Sequence, residues 1–140
     1  MSAEKITDIV VNEINDKKHD LIIVNYSNMD TVGHTGNFDA TVKAAEEIDS
    51  CVDRVAQAIN MAGGILLITS DHGKAEQMIE YKTGEPYTAH TTNAVPLILI
   101  GLDSIKLKNG RLSDIAPTLL DAMGIEKPQE MSGTSLIMRK

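Results

Sequence analysis

Three short stretches of this chain concentrate side chains that bind divalent cations. Asp30 and His34 stand four apart in NYSNMDTVGHTG, residues 25–36. One helical turn would put both on one face, although Gly33 and the β-branched Thr31 and Val32 make a loop equally compatible. Asp71 and His72 are adjacent in SDHGKAE, residues 70–76, where Gly73 lets the backbone turn away without a side chain crowding the pair. His90 stands among small hydroxyl residues in TAHTTN, residues 88–93. Five oxygen and nitrogen donors without a thiolate suit a pair of ions such as Mn²⁺ or Zn²⁺ better than a structural zinc. Paired metals activate an oxygen nucleophile and stabilise charge at phosphorus. Each group also has a plainer reading: the Asp30–His34 pair could be a chance surface pairing, Asp71 could cap a following helix, and His90 could be an ordinary loop histidine. His19, between Lys18 and Asp20 at a helix end, reads as surface.

The elements around these stretches place them at strand ends. Ile6, Ile9, Val10 and Ile14 recur at helical spacing, with Lys17 and Lys18 expected in the last turn, where cations suit the helix dipole. LIIVN, residues 21–25, is a short β-branched run of the kind found in buried strands. Residues 39–61 carry one apolar stripe, and Gly63 and Gly64 end that helix before ILLIT, residues 65–69, a second buried strand. Strand, helix and strand in this order imply two parallel strands joined by a crossover. A short helix is expected over 74–79, a third strand over 95–101, and a last amphipathic helix over 112–123, capped by Ser113 and ended by Gly124.

One feature of this layout constrains the topology. Asp30 and Asp71 follow their strands, whereas His90 precedes the third. A five-residue strand spans about 17 Å, and metal–ligand distances of about 2 Å tolerate no such gap. For His90 to join the aspartates, the strand over 97–100 must run antiparallel to the other two. The expected fold is therefore α/β, with a mixed sheet in which 21–25 and 65–69 are parallel and 97–100 is reversed.

Composition narrows the class. At 140 residues the chain has the length of one domain. Thirteen basic against twenty acidic residues leave a net charge of −7, which argues against binding a nucleic-acid backbone and fits carboxylates that hold cations. The apolar runs fall far short of the roughly 20 residues of a membrane helix, so no membrane partner is expected. Cys51 has no second cysteine to pair with, which favours a reducing, cytoplasmic setting.

Taken together, NYSNMDTVGHTG, TSDHGKAE, TAHTTNAVPLILIG, LSDIAPTLLDAMGI and EMSGTSLI resemble, in order, the C-terminal part of cofactor-independent phosphoglycerate mutase, of the alkaline phosphatase superfamily. The resemblance runs from about residue 2 to residue 138. It implies a three-layer alkaline-phosphatase-like fold, present here in part. It also implies that Asp30, His34 and His90 bind one Mn²⁺, with Zn²⁺ an alternative, while Asp71 and His72 bind a second. The family interconverts 3-phosphoglycerate and 2-phosphoglycerate in glycolysis and gluconeogenesis through a phosphoserine, one metal activating the serine and the other holding the phosphoryl group.

The departures from the family pattern matter as much. The family's nucleophilic serine, a further metal aspartate and a catalytic lysine come from an N-terminal part, and its substrate-binding arginines from an inserted domain; none has a counterpart here. Lys74 stands where the family commonly has Asn. Residues 1–140 are thus expected to form a single domain that is the C-terminal portion of the phosphatase-like unit, without the nucleophile-bearing half and inactive alone. Self-association through surface uncovered by that absence is also expected. The alternatives are another phosphomutase or phosphodiesterase of the same superfamily, or a non-catalytic metal-binding domain.

Overall fold

The computed structural model describes residues 2–139, which form a small three-layer α/β arrangement. Helix α1 (Ala3–Asp16) begins at Ser2, whose side chain accepts from the Lys5 N–H. It ends at Lys17 in the left-handed conformation, so both lysines lie beyond its last turn. A six-residue helix α2 (Asn28–Gly33) follows, then the long α3 (Phe38–Ala62), whose N-cap Asn37 accepts from the Ala40 N–H at 3.0 Å. Gly63, at φ 72°, closes α3 in the left-handed region that only glycine enters without cost.

The apolar stripes read from the sequence meet as expected. Val10 and Ile14 of α1 pack against Val55 and Ala58 of α3, with Ile22, Val24 and Leu66 laid over the seam. Thr7, fully buried in α1, bonds the Tyr26 hydroxyl at 2.7 Å and so anchors the end of the 21–25 segment on α1.

The expected mixed sheet with parallel strands does not form. Residues 21–25 are extended but carry no ladder, and among the described residues no two strands pair in parallel. Strand β1 (Leu66–Thr69) pairs antiparallel with β2 (Leu97–Ile100), Leu66 opposite Ile100 and Thr69 opposite Leu97. A second, separate antiparallel pair joins β3 (Ile105–Leu107) to β4 (Ile137–Arg139), which the sequence pattern did not announce. The run LIIVN misled because alternating burial needs only a side-chain partner. Ile22 and Val24 point into the α1–α3 seam while Leu21 and Ile23 face solvent, and helices satisfy that alternation as well as a neighbouring strand would.

Residues 74–79 also depart from expectation, forming a turn rather than a helix. The Lys74 N–H donates to the Glu76 side chain at 2.6 Å, a local bond that competes with helix formation. Helix α4 (Ile115–Ala122) is entered through a 3₁₀ turn, Leu112–Asp114, which places Ser113 inside that turn instead of at the cap.

The C-terminal block is organised by two buried polar side chains. Thr118 donates to the Asp114 carbonyl at 2.6 Å and accepts from the Leu136 N–H at 2.9 Å. The Asp114 carboxylate accepts from the backbone N–H groups of Arg111 and Thr134 at 2.8 and 2.9 Å, which hold it below the usual carboxylate range. Folding therefore favours the ionised form. The resulting stabilisation is complete above the unfolded value of about 3.9 and is lost as pH falls through the lower folded value. Asp114→Asn is expected to lower the urea midpoint at pH 7, and the gap to the parent chain should narrow steadily below about pH 4; urea titrations across that range measure it.

Candidate metal centre

The short helix α2 resolves how Asp30 and His34 relate. Asp30 lies within it and His34 caps its C-terminal end, so the four-residue spacing brings His34 Nε2 to 3.2 Å from Asp30 Oδ1. The helix is fixed from outside by α3, against which it packs.

His90 arrives from 60 residues away. The antiparallel course of β2 starts that strand beside the end of β1, and the preceding loop is tied down by a bridge in which the Thr91 N–H donates to the Gly73 carbonyl at 2.8 Å. His90 Nε2 then lies 3.1 Å from Asp30 Oδ1 and 2.9 Å from His34 Nε2. His72 stacks on the His90 ring, with centroids 3.7 Å apart and planes within 13°, and its Nε2 is 3.7 Å from the same Asp30 oxygen. Asp71 is largely exposed and approaches only His72, at 3.7 Å. Four of the residues singled out in the sequence thus surround Asp30 Oδ1 or supply it, and Asp71 sits on the rim.

The tightest group is Asp30, His34 and His90, one ligand atom each. His34 Nδ1 lies 2.8 Å from the Thr88 carbonyl, an acceptor, so Nδ1 is the donor there, and in that tautomer the Nε2 lone pair turns inward. That lone pair then faces a carboxylate oxygen and a second imidazole nitrogen, and one shared proton cannot satisfy all three atoms. A cation can. The carbonyl behind His34 is the usual second partner of a metal-bound histidine. Three nitrogen and oxygen donors also leave coordination positions open, as catalytic sites do and structural zinc sites do not. Asp30, His34 and His90 are each roughly two-fifths to one-half exposed, so those open positions face solvent.

Lys74 was the residue whose role the sequence left unexplained. It is buried, its stem crossing Gly33 and its Nζ donating to the Gly33 carbonyl at 3.1 Å. Its Nζ is engaged by the C-terminal end of α2, where a cation suits the helix dipole. Glu76, which bonds the His90 loop, was missed altogether; only its position four residues after His72 hinted at it.

Known proteins resemble the chain along most of its length. The model of the metalloenzyme superfamily matches residues 1–127. The chain is 57% identical over 139 residues to a 2,3-bisphosphoglycerate-independent phosphoglycerate mutase of Acetivibrio thermocellus, covering 99% of this chain and 27% of that protein. It is 56% identical to phosphoglycerate mutase 1 of the same type from Methanosarcina acetivorans, again over 27% of its length. A crystal structure of Leishmania mexicana phosphoglycerate mutase at low cobalt concentration superposes with a TM-score of 0.90 at 26% identity, covering all of this chain and 29% of the other. The chain therefore spans about a quarter of the relatives it matches. With the family's model running from residue 1 to residue 127, this chain belongs to the metalloenzyme superfamily.

Proposed function

We propose that this chain is the metal-holding, C-terminal portion of a metal-dependent phosphoglycerate mutase, whose full-length form interconverts 3-phosphoglycerate and 2-phosphoglycerate through a phosphoserine. The observation that carries the reading is the convergence of Asp30, His34 and His90 in a sequence 57% identical to such a mutase. In this reading Asp30, His34 and His90 hold one ion, and Asp71 and His72 hold a second. Mn²⁺ is the preferred occupant, and Zn²⁺ also suits the donor set. When bound, such ions activate an oxygen nucleophile and offset charge at phosphorus. The chain's own contribution is to place the ligands: the Thr88 carbonyl sets the His34 tautomer, and the stacked His72 ring holds His90 upright.

The reading includes inactivity of the isolated chain. Ser70 donates its hydroxyl to the His72 carbonyl at 2.7 Å and Ser135 donates to Asp121, and in this reading neither stands in the family's nucleophile motif. Arg54 and Arg139 are paired with Asp8 and Asp121. No arginine cluster is left to clamp a carboxylate and a phosphate together. A cytoplasmic setting belongs to the same reading, supported by a single, buried cysteine. No helix among the described residues is long and apolar enough to cross a membrane.

Three measurements test this. Calorimetric titration with Mn²⁺ should show Asp30→Asn weakening binding about ten-fold or more, and more than Asp71→Asn does, because three imidazoles converge on Asp30. A coupled mutase assay should read no turnover for the chain alone. Turnover should appear when it is combined with the remaining N-terminal part of the Acetivibrio thermocellus enzyme, and Asp30→Ala should abolish it. Failure of both binding and complementation would overturn the proposal. Light scattering should also detect pairing of copies through the exposed Ile9, Leu21 and Ile23, reversed by Ile23→Lys.

A further inference from the structure

The loop that carries His90 has almost nothing apolar to hold it. From Ile79 to Pro96 not one residue is buried, so no hydrophobic packing fixes where the His90 ring sits. Its position must come from polar bonds: the Thr91 N–H to the Gly73 carbonyl, His34 Nδ1 to the Thr88 carbonyl, the Tyr87 hydroxyl to the His90 carbonyl at 3.3 Å, and a set of side-chain bonds centred on Glu76. The Glu76 carboxylate accepts from the Thr91 hydroxyl in a short bond, from the Asn93 side-chain amide at 3.0 Å, and from the Lys74 N–H at 2.6 Å. Thr91 directly follows His90, and Lys74 lies two residues after His72. One carboxylate thus laces together the two loops that present the stacked imidazoles.

The fit around this contact is close. A side chain at position 73 would collide with both the Thr91 hydroxyl and the Glu76 carboxylate, so the Glu76–Thr91 bond passes directly over Gly73. The same turn reaches the third ligand-bearing segment through Lys74, whose Nζ holds the last carbonyl of α2. The Thr91 hydroxyl above all, with the Asn93 amide and the Lys74 N–H, keeps the Glu76 carboxyl below the usual carboxylate range, so it is an anion throughout the neutral range. Bonds to an ionised acceptor are the stronger kind, which suits a clamp exposed to water.

We propose that Glu76 is a positioning residue, which locks residues 88–93 onto the 71–76 turn and thereby sets His90 face to face with His72 beside Asp30. The inference rests on the metal-centre reading only for its consequence in metal affinity. The ring placement it asserts is independent of any ion.

Two readouts on the 140-residue chain test it. In the metal-free protein, nuclear Overhauser contacts between the His72 and His90 ring protons should be strong in the parent and lost in Glu76→Ala. Contacts between Val10 and Val55 in the α1–α3 core should persist, showing that the fold survives. Titration with Co²⁺, followed by its visible absorption, should show Glu76→Ala weakened by about ten- to a hundred-fold with an altered band shape, and Glu76→Gln intermediate. If Glu76→Ala fails to fold, Thr91→Val, which removes one donor at constant volume, is judged by the same ring contacts. Ring contacts that persist in the variant, or that are missing from the parent, overturn the proposal. Failure of the parent to bind Co²⁺ overturns the metal reading instead, and the ring contacts still decide the role of Glu76.

Discussion

One carboxylate oxygen organises the functional end of this protein. Asp30 Oδ1 is approached by imidazole nitrogens from His90, His34 and His72, which come from three separate segments. No such cluster arises from local sequence alone. It needs α2 to place Asp30 and His34 one turn apart, β1 to deliver His72 at its end, and β2 to start where β1 stops. The antiparallel pairing of β1 with β2 is the topological consequence: a parallel β2 would begin at the opposite edge, about a strand's length from the aspartate.

The molecule divides by the kind of force that holds it. Around α1 and α3 the contacts are aliphatic and buried, with Val10, Ile14, Val55 and Ala58 at their centre. At the end that carries Asp30 the contacts are hydrogen bonds among half-exposed side chains. Local stability is uneven in proteins, and segments held by exposed polar contacts generally open more easily than a buried apolar seam.

How far this was legible in the sequence follows from the same division. The long helix was readable to within a residue because twenty-five residues of 3.6-period stripe leave no other solution. The strand ends at Asp71 and His90 were readable because ligand types cluster beside short apolar runs. The pairing of 21–25 was not, since Ile22 and Val24 find their apolar partners on helices and the pattern cannot say which surface they meet. Residues 74–79 were misread for a related reason. Their fate hangs on where one carboxylate goes, and Glu76 reaches Thr91, fifteen positions on, instead of serving a helix. The β3–β4 pair escaped because three-residue strands are too short for alternation to register.

The distance along the chain between Asp30 and His90 has a consequence for how the unfolded protein behaves. The two side chains meet across 60 positions, with α3 and β1 enclosed between them. A covalent bridge between them would close a large ring and remove conformations from the denatured ensemble. A covalent link closing a ring of this size is worth on the order of 4 kcal/mol in chain entropy, and the cost of closure grows only slowly with its length. A reversible bridge at the same place returns part of that constraint only while its occupant stays. An occupant that binds only the assembled site would instead hold the folded chain by mass action, so the chain escapes to the open coil most readily when the clasp is empty.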